Sequence, residues 1–404
     1  MQTDYDVIIL GLSRWDNSLN SSTFCIAKEF AKKQRVFYID RPFSLKDYLQ
    51  EKQFNPISIR RNAILTGKNI YKEVEMDGIK FTCITPRMSI PVNIFADSLV
   101  YDLLSLYNLQ LVSKVIKRTI LDFNIKKYVY LNSFLPTYFD VIPKDTVQPL
   151  VKIYRSCDDI SQEKYIAKHG IRKEIEAVED ADLVIASSFE LCHKLGKFGK
   201  KVHRVSNAAD TNMFNSIFED GIQKPDELLD AKGKIIMYTG RLSLLRIDYE
   251  LLVKIAVSRP NDTLVIIGPY EEKDIAQFKL DKFSNVILTG RKPMNQLYKY
   301  LKFADCTIIP FLNNTLTKSI YPLKINEYLA CGLPVVSTNF SEDIRSFGDF
   351  IAVKDTHDEF IQAIEERMIL HDGDTAKRNI ALSLKNTWVQ RVELLRDLIA
   401  DFNN

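Results

Sequence analysis

The chain has 404 residues, 46% hydrophobic and 26% charged, and its 55 Lys and Arg against 52 Asp and Glu leave a net charge of +3. This length exceeds what one hydrophobic core supports and predicts two domains, and the composition is globular rather than disordered or fibrous. No stretch approaches the roughly 18 uncharged apolar residues of a transmembrane helix. The start, Met1 to Asp6, has no basic leader and runs into a strand, so no signal peptide is expected.

The first half alternates strands and helices. Asp6–Leu10 reads as an apolar strand, then a helix over Ser22–Lys33 and a strand over Arg35–Ile39. Residues 44–91 read as irregular, with short strands around Ile57–Ile59 and Ile79–Ile84. A helix is expected over Asp97–Phe123, strands over Lys127–Leu131 and Val151–Ser156, a helix over Glu163–Val178, and strands at Leu183–Ser187 and Lys201–Val205. The second half repeats the pattern. Strands are expected at Lys234–Thr239, Thr263–Gly268, Asn285–Thr289 and Cys306–Phe311, with helices at Tyr249–Ser258 and Asn295–Phe303. Helices over Asp358–His371 and Ala376–Phe402 finish the chain.

Two successive sets of βαβ units predict two doubly wound α/β domains. One spans 1–205, with a C-terminal helix of about 386–404 packing back on it, and the other spans 206–385. Ligands in such sheets sit at the carboxyl ends of the strands.

Charge and cysteine usage narrow the partners. Through residue 128 there are 19 Lys and Arg against 13 Asp and Glu, an excess of +6, and the remaining 36 against 39 give −3. The clusters Lys32-Lys33-Gln-Arg35, Arg60-Arg61, Lys114 with Lys117-Arg118, and Lys126-Lys127 are either solvated helix ends or a basic face for an anionic lipid surface or acceptor. Nucleic acid is not expected, because no recognition helix accompanies the charge. The six cysteines are scattered without a C-x-x-C pair, which points to reduced thiols and no zinc site.

Strand ends carry the candidate chemistry. Gly11, after the first strand, allows close backbone approach, and Arg14 and Trp15 can meet a ligand or pack on the loop; the absence of G-x-G-x-x-G argues against a nicotinamide dehydrogenase. Gly240 also allows approach, and Arg241 and Arg246 can donate to a diphosphate. Gly268 and Gly290-Arg291 can frame a nucleobase. The stretch Ser319 to Thr338 reads as a helix opened by Pro322, capped from Ser319 or Thr317 and stopped by Gly332. Tyr321, Lys324 and Glu327 lie at its start. Lys324 and Glu327, three apart, share one face near an anion-favouring helix terminus. They are either a surface ion pair or the phosphate and ribose contacts of a nucleotide. Asp158 and Asp159, at the end of a first-domain strand, are either acceptor-side carboxylates or a helix N-cap pair, and His169 reads as a surface helix end.

Gly240-Arg-Leu with a basic residue at 246, Asn285–Gly290, Ala304-Asp305, and Glu327-Tyr-Leu-Ala-Cys-Gly-Leu-Pro-Val-Val336 together resemble GT-B glycosyltransferases of the family 4 type. The run Asn314–Ala330, with Cys157-Asp-Asp159, Ala181–Ser188 and Thr387-Trp388 with Arg391, is similar to the bacterial teichuronic-acid and capsule biosynthesis subgroup. The resemblance implies two Rossmann-like domains facing a central cleft, an acceptor-side first domain and a donor-binding second. It implies a retaining transfer, without a bound metal or other cofactor, from a UDP- or GDP-linked sugar to a glycan or lipid-linked acceptor in polysaccharide biosynthesis. The reduced cysteines point to a cytoplasmic protein, and the basic-face alternative to one peripheral on the inner face of the plasma membrane. Arg241 and Arg246 would hold the diphosphate and Glu327 the ribose. Ser319 stands where the family has a first glutamate that serves the donor sugar. A GT-B nucleotide-sugar epimerase and a catalytically silent binding protein are the alternatives.

Overall fold

The computed structural model describes residues 5–16, 21–50, 55–163 and 166–403. They form two compact units, 1–206 with 391–404, and 207–390. Each is built on a sheet whose central strands are short apolar runs buried on both faces, as strands covered by helices on either side must be.

The first sheet contains β1 (Asp6–Gly11), β2 (Val36–Asp40), β3 (Tyr71–Met76), β4 (Ile79–Ile84), β5 (Tyr128–Ser133), β6 (Val151–Ser156), β7 (Leu183–Ala186) and β8 (Val202–Arg204). Their spatial order is β3-β4-β2-β1-β5-β6-β7-β8, parallel throughout except the β3–β4 hairpin. The second sheet contains β9 (Ile235–Thr239), β10 (Thr263–Ile267), β11 (Val286–Gly290), β12 (Cys306–Ile309), β13 (Val335–Thr338) and β14 (Ala352–Lys354), ordered β11-β10-β9-β12-β13-β14 and wholly parallel. In each sheet the chain leaves the first strand to one side and later returns to pair with its other edge, β1 with β2 and β5, and β9 with β10 and β12. Such reversal points open a crevice at the strands' carboxyl ends. Among the described residues, no helix is long and apolar enough to cross a membrane.

Three expected elements differ. Ile57–Ile59 is not a strand but part of the helix Asn55–Thr66. Ile57, Arg60, Ala63 and Ile64 are buried while Ile59 is 60% exposed, a helical and not an alternating pattern. The final long helix is two, Gly373–Ser383 and Trp388–Asn403. The break comes where Thr387 bridges to Ala209 and its hydroxyl accepts the Gln390 N–H, capping the second helix. That second helix meets the first unit through Arg391 to the Ser206 carbonyl and Arg396 to Gln34. His169 is buried rather than at the surface, stacked on Tyr101 at 3.9 Å and hydrogen-bonded to Asp97 and the Phe95 carbonyl.

In the second unit the helix Leu323–Ala330 is seated by its inner face, with Ile325, Tyr328 and Leu329 fully buried in the core. Tyr328 also fixes its height. Its hydroxyl accepts the Thr239 N–H at 2.9 Å and lies 3.1 Å from the Thr239 hydroxyl, joining the helix to the carboxyl end of β9. Tyr328→Phe leaves that buried donor unsatisfied and should cost about 1–3 kcal/mol of stability. An unfolding free energy equal to that of the unmodified chain would show that this clamp does not hold the helix.

Candidate functional site

Backbone bonds between the loops after β9, β10 and β11 lace them into one surface. Gly240 donates its N–H to Ile267 at 2.7 Å, Gly268 to Gly290 at 2.9 Å, and Leu242 to Pro269 at 3.0 Å. Gly240 has φ 142°, and a Cβ there would lie 2.2 Å from Lys324 Cε and 2.8 Å from the Tyr238 hydroxyl. Its missing side chain is therefore what lets the lysine stem cross the strand end. A Cβ at Gly268 would lie 2.0 Å from the Gly240 carbonyl oxygen, so the two loops pack backbone on backbone. Gly290 faces open space.

Lys324 and Glu327 meet these loops from the helix Leu323–Ala330. Pro322 is its N-cap, with ψ 103°, and not its first helical residue, and no side chain caps this end. Ser319 and Thr317 are engaged elsewhere. The Ser319 hydroxyl donates to the Leu316 carbonyl at 2.7 Å, and Thr317 forms a capping box with Asn314. Glu327 is buried, yet neither its carboxylate nor the Lys324 ammonium makes a hydrogen bond or ion pair among the described residues. Burial raises the Glu327 carboxyl above its ordinary range, with Lys324 opposing. Burial lowers the Lys324 ammonium, Glu327 opposes, and Arg246 lowers it further. Two opposite charges thus sense each other across a gap wider than an ion pair, with no hydrogen-bond or ion-pair partner of their own among the described residues. Such a carboxylate suits the paired hydroxyls of a ribose, and the ammonium suits a phosphate.

The arginines differ in state. Arg241 is exposed and held by Glu271 at 2.9 Å. Arg246 is exposed and anchored through its main chain, donating its N–H to Ser243 and accepting that of Leu312. Arg291 is exposed beside Gly290. Tyr321 lies in the core, its hydroxyl hydrogen-bonded to the Asn326 side chain. Tyr238, beneath Lys324 at 5.9 Å, and Glu271 escaped the sequence reading, because nothing local connects them to the lysine and the arginine.

In the first unit the candidates are largely occupied. A Cβ at Gly11 would fall 2.1 Å from the Tyr38 hydroxyl, so Tyr38 takes the approach that this glycine allows. Asp159 caps a short 3-10 turn through the Ser161 N–H and pairs with Lys194. Burial works against its charge, but the Lys194 and Ser161 hydrogen bonds prevail and hold its carboxyl below the ordinary range. Asp158 is half-buried, 3.9 Å from the Cys157 thiol. A cluster missed from sequence lies beside the β1 loop. Asp40 accepts the Trp15 N–H at 3.1 Å and pairs at 3.1 Å with Arg60, which also pairs with Asp16 and stacks on the Trp15 ring at 4.6 Å. Arg14 lies 3.4 Å over the Phe43 ring and pairs with Asp47 at 3.0 Å.

Residues 233–368 match the family model "Glycosyl transferases group 1". A teichuronic acid biosynthesis glycosyltransferase by name, TuaH of Bacillus subtilis (strain 168), is 28% identical over 221 residues. That segment is similar to group 1 glycosyltransferases, and the two Rossmann-like sheets have the GT-B fold. The match covers 52% of this chain and 54% of TuaH, so the chain spans about half the length of that relative. Over their full lengths three solved structures share the fold. An Escherichia coli trehalose-6-phosphate structure bound with UDP-2-fluoroglucose has a TM-score of 0.67 at 9% identity, covering 99% of each chain. The trehalose 6-phosphate synthase of Burkholderia multivorans has 0.68 at 9%, covering 98% of each. A glycosyltransferase of Rickettsia africae has 0.64 at 13%, covering 99% of each.

Two motif residues of the matched segment hold the sheet together. Asn285 donates to the Ala256 and Arg259 carbonyls, and Asp305 accepts from the Ile235 N–H and Lys234. The Asp40 cluster carries a pH signature. Burial pushes its carboxyl up to about 7, against Arg60 and the Trp15 N–H, while the charge of Asp16 adds to the rise. The unfolded carboxyl titrates near 4, so between about pH 4 and 7 the native state holds a proton that the unfolded chain lacks. Stability from this group is full below about pH 4 and is lost as pH rises through 7. Urea midpoints should show that component, and Asp40→Asn should remove it; an identical pH profile in the variant would contradict this.

Proposed function

We propose that this chain transfers a glycosyl group from a nucleoside-diphosphate sugar, UDP- or GDP-linked, to a glycan or lipid-linked acceptor in surface polysaccharide synthesis. The observation that carries the reading is the buried, unpartnered Glu327 carboxylate facing Lys324 beside three glycine-bearing strand ends of one sheet. The 207–390 unit binds the donor, and the first unit binds the acceptor. The names of the relatives support this reading, one belonging to teichuronic acid biosynthesis and one structure bound with UDP-2-fluoroglucose.

In the proposed reaction Glu327 accepts the ribose hydroxyls. The Gly240 and Gly268 loops let the nucleotide approach the backbone, and Gly290 with Arg291 frames the base. Lys324, Arg246 and Arg241 receive the charge that grows on the diphosphate as the glycosidic bond breaks. Arg241 must exchange Glu271 for the phosphate, whereas Arg246 has no ion-pair carboxylate to release among the described residues. The acceptor oxygen attacks from the face the leaving group vacates, which retains anomeric configuration, and the departing phosphate oxygen takes its proton. No protein base is then required, in keeping with Asp159 being committed to Lys194. Ser319, buried with its hydroxyl on Leu316, leaves the donor sugar without the carboxylate that the family pattern supplies there.

Glu327→Gln should weaken UDP or GDP binding about 10- to 100-fold, the loss of one or two hydrogen bonds to a charged group. Its melting temperature should stay within about 2–4 °C, because the carboxylate has no protein partner to lose. Calorimetry giving unchanged affinity would end the ribose assignment. Arg241→Ala with Arg246→Ala should lower turnover of the cognate nucleotide sugar by about 100-fold or more while preserving the fold; an unchanged rate with a lowered melting temperature would make both residues structural.

A further inference from the structure

Arg246 makes no ion pair among the described residues, so its place is set by the main chain beneath it. It closes a tight turn. The Arg246 N–H donates to the Ser243 carbonyl at 2.9 Å, and the Ile247 N–H donates to the same carbonyl at 2.8 Å. Leu244 and Leu245, inside the turn, are exposed. An exposed turn whose own side chains find no core is easily displaced unless a neighbour holds it. The neighbour here is the segment after β12.

That segment is firmly seated. Phe311 and Phe340 pack ring against ring at 5.0 Å, the Thr338 hydroxyl donates to the Phe311 carbonyl at 2.5 Å, and the Asn313 amide donates to the Asn339 carbonyl at 3.1 Å. It reaches the turn at three points. Phe311 bridges to Ile247, the Leu312 N–H donates to the Arg246 carbonyl at 2.8 Å, and the Asn314 side-chain amide donates to the Leu245 carbonyl at 3.0 Å. The first two contacts are main chain; the third is a side chain. The other arm of Asn314 is also committed. Its side-chain oxygen accepts the Thr317 N–H at 3.0 Å, half of the capping box that opens the helix Thr315–Lys318. Ser319 follows that helix directly. One side chain thus joins the turn of Arg246 to the segment that presents Ser319.

We infer that Asn314 is a positioning residue for the donor diphosphate, fixing through the Leu245 carbonyl the peptide that carries Arg246. This assignment rests on the donor site proposed above. The need for such a tie is electrostatic. Burial lowers the Lys324 ammonium, Glu327 opposes, and the charge of Arg246 lowers it further, so the two cations stand within each other's field. Like charges gathered in this way push apart until an anion joins them, and a loose turn would let Arg246 retreat before the diphosphate arrives. Capping the helix Thr315–Lys318 would require only the Asn314 oxygen. The amide arm is the part that serves Arg246. Serine separates the two roles, because it supplies a capping oxygen as good as that of asparagine and lacks the amide.

The test is a double-mutant cycle on the affinity of the full chain for UDP and GDP, measured by calorimetry. Arg246→Ala should weaken binding about 10-fold. Asn314→Ser should weaken it about 3- to 10-fold while the melting temperature stays within about 2 °C. Added to Arg246→Ala, Asn314→Ser should weaken binding by less than about 2-fold more, because the group it positions is already gone. Asn314→Ala should match Asn314→Ser in affinity and melt about 2–4 °C lower, having lost the cap as well. Unchanged affinity in Asn314→Ser, or a loss that persists in full without Arg246, would overturn the positioning role and leave the donor site standing. Affinity that follows melting temperature across the Ser and Ala variants would also overturn it, by making Asn314 a helix cap alone. If the unmodified chain binds neither nucleotide, the donor site falls and the inference falls with it.

Discussion

The second unit is organised around a close approach at one position, where Lys324 crosses the end of β9 over Gly240. Any side chain at 240 would occupy the space of the lysine stem, so the strand end, the lysine and Tyr238 are mutually determined. Tyr328 completes the constraint from the other side of the same strand end by taking the Thr239 N–H. The helix that carries Lys324 and Glu327 is therefore positioned by packing and by one buried hydroxyl, not by a cap of its own.

That construction explains how a buried carboxylate can be maintained without a protein partner. Leaving Glu327 unsatisfied carries a desolvation penalty, opposed in part by the field of Lys324. The helix core of Ile325, Tyr328 and Leu329 is firm enough to hold the arrangement open. Local strain or under-satisfaction of this kind is retained where surrounding packing over-determines it. The first unit behaves differently. Its strand-end side chains are engaged within the unit: Asp40 with Arg60, Asp159 with Lys194, and the terminal nitrogens of Arg155 with the Ser22 and Ser133 hydroxyls.

Much of the fold was legible from local pattern. Apolar runs such as Val7–Leu10 and Ile235–Met237, separated by helical periodicity, gave the strands and their parallel sense, because each run is buried on both faces. The errors came where two periods compete. Ile57-Ser-Ile59 alternates like a strand, and only Arg60, Ala63 and Ile64 joining Ile57 in the interior reveals the helix. His169 looked like a helix end because its partners, Tyr101 and Asp97, lie about seventy residues away.

The sequence by itself determined the two α/β units, the strand ends that carry glycine and arginine, and the shared helical face of Lys324 and Glu327, since each depends on spacing within one element. Tertiary structure alone decided which of those residues remain available to a ligand. Gly11 was spent on Tyr38, Asp159 on Lys194, Tyr321 on Asn326 and Ser319 on Leu316, while Glu327 and Lys324 were left without a hydrogen-bond or ion-pair partner among the described residues. The physical reason is that hydrogen-bond satisfaction is a property of neighbours in space. A polar side chain's type can be read from the chain, but whether it is already paired depends on contacts that the chain order does not contain.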